Sequence, residues 1–401
     1  MPDEPRRVVI TGVGAISAAG HDPPAVWEAL LTGKPALTPL PGDALDRPAV
    51  AARIAHYDGP AGVPADFTAR LSRASQFALD ASIQAVADAR IGFNAENAYA
   101  VASLIGSAHG PDPAGPPAPL FSAGLAGAST GLNIAGPSYA IDAGAASGLV
   151  AIHQAAEMVR SGSVRAALAG GADAPLRPEV LAAYEARGLL SSQATATAQR
   201  PFDLLRDGMV LGEGAAVLLL EDRELAVMRG AHIYGELIGG AVTAGPAADG
   251  APPTDVDIAR QAVGRALRES GHSPGEIDLV FTAGAATKAG DARETDILER
   301  SFGSRILDMY VTTTTPVLGY TVGASGALAA VAALFALAEQ MAPPHAAYTE
   351  PDPDCALDIT VRGQRDHLHT ALVSAYGSAG QNAALLIGAH RAEPGDELPM
   401  A

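Results

Sequence analysis

The sequence predicts an α/β fold built from two duplicated halves, and three observations support this prediction. The chain has 401 residues, whereas a single hydrophobic core stops growing near ~250–300 residues. Apolar, β-branched runs stopped by glycines alternate with segments whose apolar residues recur at helical spacing. Strings of the first half also recur, in the same order, in the second half. We therefore expect one half over residues 1–230 and the other over residues 231–401.

The elements of the first half follow from local patterns. Residues 7–14 (RVVITGVG) form a β-branched apolar run that ends in glycine, which is typical of a buried strand. The segment 110–119 contains too many prolines for a strand or helix and is predicted to be a loop. By the same criteria, further strands are expected at 99–105, 139–142, 165–170 and 215–221, and helices at 26–31, 73–89 and 145–160.

Three pairs of strings carry the inference of duplication. A solenoid is disfavoured because its units are far shorter than this repeat. Chance similarity among Ala- and Gly-rich strings is the alternative explanation. The paired strings are VVITGVGA (8–15) with LVFTAGAA (279–286), GAASGLVAI (144–152) with GASGALAAV (323–331), and GAAVLLLE (214–221) with NAALLIGA (382–389).

Charge and cysteine content exclude several functional classes. The chain has 26 basic and 44 acidic residues, a net charge of −18, which argues against nucleic acid and anionic membranes as partners. The one cysteine, Cys355, excludes an internal disulfide and a thiolate zinc cage. The start of the chain lacks the pattern of a signal peptide, and the apolar stretch 323–338 is predicted to be a buried core helix. A cytoplasmic location is expected.

No common catalytic motif is complete. Gly12 and Gly14 follow a strand, but Ser17 stands where a dinucleotide fingerprint needs its third glycine, so a nucleotide site is disfavoured. His367 and His369 lie in a polar stretch and are expected to face solvent. Cys355 has Asp352 and Asp354 beside it, so we expect a half-buried residue and a poor nucleophile. We expect no metal and no cofactor.

Several strings resemble those of the β-ketoacyl synthases of the thiolase superfamily. The most specific is RPFDLLRDGMVLGEGAAVLLLED (200–222). This resemblance implies a thiolase-like fold, in which the two halves form a five-layered α-β-α-β-α arrangement. The other strings are VVITGVGAIS (8–17), GPSYAIDAGAASGLVAIHQA (136–155), LAGGAD (168–173), GDARET (290–295) and VLGYTVGASGALAA (317–330).

The same resemblance implies a site whose reactive residues are missing. Catalytic members use a helix-end cysteine to accept the acyl chain, with two histidines and a lysine around it. Here the cysteine position is Ala145 and the two histidine positions are Ala283 and Tyr320. The lysine position is Thr315. A phenol with a pKa near ~10 is a poor base at neutral pH, so we expect no condensation by this chain alone.

This pattern resembles the chain length factor of type II polyketide synthases, the non-catalytic partner of a ketosynthase in a heterodimer. The resemblance implies that acyl carrier protein binds mainly through the ketosynthase. Ala145 instead of glutamine, and the short segment 105–136, fit a polyene-type, highly reducing system at least as well as an aromatic one. The alternatives are a starter-generating malonyl-carrier-protein decarboxylase and a non-enzymatic, acyl-binding homodimer. The expected tunnel and interface residues are Phe121, Gly124, Leu125, Ala128, Leu132, Tyr139, Ala140 and Ile141.

Overall fold

The computed structural model describes residues 6–40, 45–110, 132–246 and 255–391. Its helices and strands alternate along the chain, as the sequence predicts. The helices are α1 (Pro23–Thr32), α2 (Ala65–Thr68), α3 (Arg73–Asp88), α4 (Ser147–Arg160), α5 (Pro178–Ala186), α6 (Arg223–Met228), α7 (Val256–Ser270), α8 (Lys288–Phe302), α9 (Thr315–Leu318) and α10 (Ser325–Glu339). The strands are β1 (Val8–Ser17), β2 (Thr38–Pro39), β3 (Val50–Ala51), β4 (Val101–Gly106), β5 (Ser138–Ile141), β6 (Ala166–Asp173), β7 (Gly214–Asp222), β8 (Gly235–Ala244), β9 (Leu279–Phe281), β10 (Tyr310–Thr312), β11 (Met341–Ala342), β12 (Gln364–Arg365), β13 (Thr370–Tyr376) and β14 (Gln381–Ala389).

Ten strands form one mixed sheet in the order β10-β9-β13-β14-β8-β1-β7-β6-β4-β5. The sheet divides between β8 and β1 into two groups of five strands. In each group, the two strand pairs nearest the sheet edge are parallel and the two pairs nearest the centre are antiparallel. In chain order, both groups follow the arrangement 3-2-4-5-1 from the sheet edge inward. The short β1–β8 ladder, Val9 with Glu236 and Ile10 with Gly235, joins them. The sheet therefore has an internal repeat of order and direction.

This repeat corrects one of the three string pairs. β1 begins its half and corresponds in position to β8, whereas β9 is the second strand and corresponds to β4. The likeness of residues 8–15 to residues 279–286 is therefore one of composition, because both are buried strands that lead into glycine. The other two pairs do occupy equivalent positions: α4 with α10, and β7 with β14.

Two helices lie between the two groups of strands. α4 and α10 each contact strands of both groups, and their apolar residues form most of the largest core cluster. α3 covers β1, β7 and β6 on one outer side, whereas α7 covers β8 and β14 on the other side and α8 packs against it. The result is the expected α-β-α-β-α layering. The window Val322–Glu339 is apolar and long enough to cross a membrane, but 83% of it is buried inside the fold. It is the core helix that the sequence predicts.

The glycines at the start of the chain serve helix packing. β1 continues through Ser17 as a fully buried strand. A Cβ atom at Gly12 would lie 2.1 Å from the carbonyl oxygen of Ala85, and one at Gly14 would lie 1.9 Å from that of Ala81. Both carbonyls belong to α3, which can approach the strand this closely only where side chains are absent. This explains the glycine spacing without a nucleotide.

Candidate active site

Ala145 lies in a tight turn directly before α4. Gly144 has a φ of 57°, in the left-handed region that favours glycine. The Ser147 hydroxyl accepts the Ala143 N–H at 2.9 Å and donates to the Gly144 carbonyl at 2.6 Å. These contacts fix the turn, so residue 145 is held at the N-terminal end of a 14-residue helix. A thiolate there would be stabilised by the helix end, but the residue is alanine.

All four positions where the resemblance expects reactive groups line one small cavity. Ala145, Ala283, Thr315 and Tyr320 meet there, although they come from widely separated parts of the chain. The cavity measures about 10 Å³, which is about the space of one water molecule. Its other lining residues are Thr282, Thr314, Ser325, Gly326, Ala329, Ser374 and Ala375.

The polar groups around Ala283 and Thr315 are already engaged. The backbone N–H of Ala283 donates to Glu294 Oε1 at 2.8 Å, and that of Gly284 donates to Glu294 Oε2 at 3.1 Å. The Thr315 hydroxyl donates to the Gly284 carbonyl at 2.7 Å and accepts from Gln199 Nε2 at 3.1 Å. These bonds hold the cavity wall in place, and neither residue 283 nor residue 315 carries a base.

Tyr320 is a buried member of the cavity wall. Its side chain belongs to an apolar cluster with Ala145, Leu181, Met209 and Leu211. Burial raises the pKa of the Tyr320 phenol further above its ordinary value of 10. The phenol therefore stays neutral at physiological pH and cannot act as a general base there.

A buried charged network behind the cavity was not predicted from the sequence. Arg206 Nε lies 3.1 Å from Asp291 Oδ2, and its Nη1 lies 2.5 Å from Asp352 Oδ2. Asp291 also accepts the backbone N–H groups of Phe202 and Ala286. The segments 200–222 and 290–295 thus meet here, so the acidic and basic residues of these motifs hold the fold together. Only their joint presence in the sequence could have hinted at this contact.

Cys355 is part of this network. It is buried, with 1% of its surface exposed, rather than half-buried as expected from the loop sequence. Arg206 Nη2 lies 3.2 Å from its sulfur, a cation that the sequence did not indicate. Burial outweighs that cation and raises the pKa of the thiol to about 11. The prediction of a poor nucleophile therefore agrees with the structure, although the cause is burial.

Glu294 gives a pH-dependent contribution to stability. Burial, with a smaller contribution from nearby Asp291, raises its pKa from 4.5 to about 7. The folded state then holds a proton that the unfolded state has released, so stability falls as pH rises from about 4.5 to 7. We expect Glu294→Gln to flatten this decline by up to about 1.4 kcal/mol per pH unit in urea unfolding between pH 5 and 8. Glu299→Gln, exposed on the same helix, is the control, and equal slopes in both variants would refute the assignment.

The eight expected interface residues fall into three groups. Phe121, Gly124, Leu125 and Ala128 lie outside the described residues. Leu132 is half-buried and packs against the cluster between α3 and the sheet.

Three interface residues belong to β5, the last strand of the large sheet. Tyr139 and Ala140 are exposed and Ile141 is half-buried. β5 pairs with β4 along one side, through Leu104 with Tyr139 and Ile105 with Ala140. Its other side is an open sheet edge within the part of the chain that the structure describes.

The histidines fit the expectation from sequence. His367 and His369 are both exposed. Across residues 6–40, 45–110, 132–246 and 255–391, no group of three or more His, Cys, Asp or Glu residues could hold a metal ion.

Comparison with known proteins identifies the family. The model of the β-ketoacyl synthase N-terminal domain matches residues 5–226, and that of the C-terminal domain matches residues 234–349. The chain belongs to the β-ketoacyl synthase family. It is 33% identical to 3-oxoacyl-[acyl-carrier-protein] synthase 2 of Synechocystis sp., over 95% of this chain and 98% of that protein. Its fold is the mixed α/β, thiolase-like fold of ketosynthases.

Two solved structures match nearly the whole chain. The ishigamide ketosynthase/chain length factor is 27% identical, with a TM-score of 0.86, over 96% of this chain and 100% of that chain. A type II polyketide synthase acyl-carrier protein in complex with its ketosynthase, bound to the hexaketide, gives 26% identity and a TM-score of 0.86 over the same shares. This β-ketoacyl synthase family member therefore has the ketosynthase-like fold found in type II polyketide synthases.

Proposed function

We propose that this chain is a chain length factor, the non-catalytic partner of a ketosynthase in a type II polyketide synthase heterodimer. One observation carries the proposal: the cavity that should hold the reactive groups is lined by Ala145, Ala283, Thr315 and Tyr320. Acyl transfer needs a nucleophile and decarboxylation needs groups that stabilise an enolate. A methyl group and a fully hydrogen-bonded threonine supply neither, and a neutral phenol supplies one hydrogen-bond donor but no nucleophile.

The similarity to solved structures supports the partner class. One neighbour is a ketosynthase/chain length factor pair, and the other is a ketosynthase in complex with its carrier protein. This family member is similar to both over 96% of its length. A catalytic ketosynthase would then supply the cysteine and histidines that this chain lacks.

The open edge of β5 supports the mode of assembly. Tyr139 is 52% exposed and Ala140 is exposed, on a strand with a neighbour on one side only. Such an edge invites pairing with another strand. Pairing with the equivalent strand of a ketosynthase would extend the sheet across the subunit interface.

Chain length would be set by packing at that interface. The growing chain, held on the ketosynthase cysteine, extends into a tunnel whose far end this subunit closes. Adding a methylene beyond the tunnel's end overpacks it and costs about 1–3 kcal/mol. Gly124 and Ala128, in the segment where the resemblance places the interface helix, are small and imply a roomy tunnel. A polyene-type product fits such a tunnel.

The charge of the chain supports carrier-protein docking on the other subunit. Acyl carrier proteins are acidic, and an acidic partner docks on a basic surface. At a net charge of −18, this chain repels such a partner at long range. The ketosynthase would therefore supply most of the docking surface.

Co-expression tests the proposal directly. We expect a one-to-one complex with a catalytic ketosynthase from the same biosynthetic system, and polyketide formation by that complex only. The chain alone should show no condensation and no release of CO₂ from malonyl-carrier protein. A stable homodimer that ignores the ketosynthase would contradict the proposal in favour of an acyl-binding protein, and CO₂ release would favour the decarboxylase.

The tunnel residues can be tested in the same complex. Ala128→Phe and Gly124→Phe should shorten the product, because a ring in the tunnel removes space for carbon atoms. Leu125→Val, which makes that position smaller, is the control and should not shorten it. Unchanged product length with both phenylalanine variants would refute the assignment of these residues to the tunnel.

A further inference from the structure

Three polar side chains, joined in series by hydrogen bonds, lie beside the cavity at Ala145. The Asp173 carboxylate is fully buried, and His109 Nδ1 lies 3.3 Å from its Oδ1. On the other side of the ring, His109 Nε2 lies 3.2 Å from the Tyr184 hydroxyl. We call Asp173, His109 and Tyr184 the polar triad. None of its members is one of the four positions where the resemblance expects reactive groups.

The hydrogen bonds of the triad have one consistent direction. Asp173 accepts the backbone N–H groups of Ala108 at 3.1 Å and Gly323 at 2.8 Å, and the Ser107 hydroxyl at 3.2 Å. A carboxylate held in this way accepts the Nδ1–H of His109, which leaves Nε2 as an acceptor. Burial raises the pKa of Tyr184 to about 12, so its hydroxyl stays protonated and donates to Nε2.

The triad is anchored where the two central helices begin. Gly323 lies two residues before α10, whose first residues line the cavity. A Cβ at Gly148, in the first turn of α4, would lie 2.8 Å from the Gly323 carbonyl oxygen. Asp173 is thus bonded to the point where the two helix ends meet, and it cannot shift without moving the cavity wall.

The other end of the triad closes the apolar side of the cavity. Tyr184 and Ala108 pack against the cluster that contains Ala145 and Tyr320. Leu181, one turn before Tyr184 on α5, is buried in the same cluster. The hydrogen bond to His109 therefore holds the phenol ring against the cluster that contains Ala145. Only about 10 Å³ of the cavity at Ala145 remains open, far less than a long acyl chain attached there would occupy.

We propose that the polar triad is a built-in plug that keeps linear acyl chains out of this subunit's own pocket. Loss of the nucleophile alone would leave an apolar pocket that could still compete for acyl chains. Filling the pocket with hydrogen-bonded side chains removes that competition. This inference rests on the cavity and the family fold, and it does not require the partner role proposed above.

The test restores a thiol and then removes the plug. Ala145→Cys is combined with Tyr184→Ala, with the milder Tyr184→Val, or with His109→Ala. Each variant is treated with acetyl or octanoyl N-acetylcysteamine. The cysteine thiolate attacks the thioester carbonyl, a new thioester forms at residue 145, and N-acetylcysteamine leaves as the protonated thiol. Intact mass and peptide mapping detect the acyl group on residue 145 of this chain, whether or not a ketosynthase is co-purified.

The ratio of octanoyl to acetyl transfer is the readout, because it cancels differences in thiol reactivity. We expect Ala145→Cys alone to accept acetyl and hardly any octanoyl, and the plug variants to raise the ratio at least about tenfold. Ala145→Cys with Tyr57→Ala is the matched control, since Tyr57 is also half-buried but packs between α3 and the sheet. The unaltered chain, with only Cys355, is the blank.

An unchanged ratio in the folded Tyr184 and His109 variants would overturn the proposal. An equal rise in the Tyr57 control would also overturn it, because general loosening of the fold would then explain the result. Circular dichroism melting identifies the folded variants, and Tyr184→Val keeps more apolar side-chain volume than Tyr184→Ala in case the alanine variant does not fold. If the plug variants raise the ratio but the chain does not bind a ketosynthase, the plug proposal stands and only the partner role is refuted.

Discussion

Arg206→Ala is expected to lower the free energy of unfolding by about 3–5 kcal/mol, or to prevent folding altogether. The Arg206 side chain is 1% exposed and faces two carboxylates, Asp291 and Asp352. It also donates to the carbonyl oxygen of Asp203 at 2.8 Å. Removing the guanidinium leaves the buried Asp291 carboxylate without its cationic partner, which is far more costly than losing an exposed pair, whereas Asp352 keeps Lys288 at 3.0 Å. Urea unfolding of the purified variant measures the loss.

Two further variants separate charge from packing. Arg305→Ala removes an ion pair whose partners are 52% and 60% exposed, so its effect should stay within about 1 kcal/mol. Arg206→Ala combined with Asp291→Asn should recover part of the loss, because the remaining charge is reduced. If the double variant is no more stable than Arg206→Ala, cavity formation rather than charge would account for the effect.

Ala140→Pro is expected to weaken the proposed heterodimer at least about tenfold while leaving this chain folded. Along a β-strand, the N–H and C=O groups of one residue point towards the neighbouring strand on one side, and those of the next residue point to the other side. The carbonyls of Pro137 and Ile141 accept from Ser103 and Ser107, on the β4 side. The odd-numbered residues of β5 therefore face β4. Ala140 has the opposite orientation and directs its N–H to the open edge. Proline removes that N–H and is tolerated on edge strands, so pairing with a partner strand is lost selectively.

Size-exclusion chromatography with light scattering of the co-expressed pair measures this effect. We expect an apparent Kd at least about tenfold higher, since each lost backbone bond contributes about 0.5–1.5 kcal/mol and proline also obstructs the approach. Ala140→Ser keeps the N–H and should bind as the unaltered chain does. A fully assembled Ala140→Pro complex would show that the partner docks elsewhere.

Local pattern predicted most of the elements. The run that became β1 and the apolar spacing that became α4 both report on burial, which local sequence reveals well. Local pattern failed to identify which strands of the two halves are equivalent. Residues 8–15 and 279–286 look alike because both are buried strands, yet they occupy different positions in the repeat. Strand order depends on contacts between distant residues, and composition does not encode it.

The sequence by itself determined that Ala145, Ala283, Thr315 and Tyr320 carry no nucleophile or strong base, because side-chain chemistry is a property of the residue. Only the tertiary structure decided that these four residues share one cavity of about 10 Å³. Likewise, it alone placed Arg206 beside Cys355 and joined His109 to Asp173 and Tyr184. The physical reason is that burial, pKa and hydrogen bonding depend on neighbours far away in the chain. Folding sets those neighbours, and so it alone could show how little open space the four residues enclose.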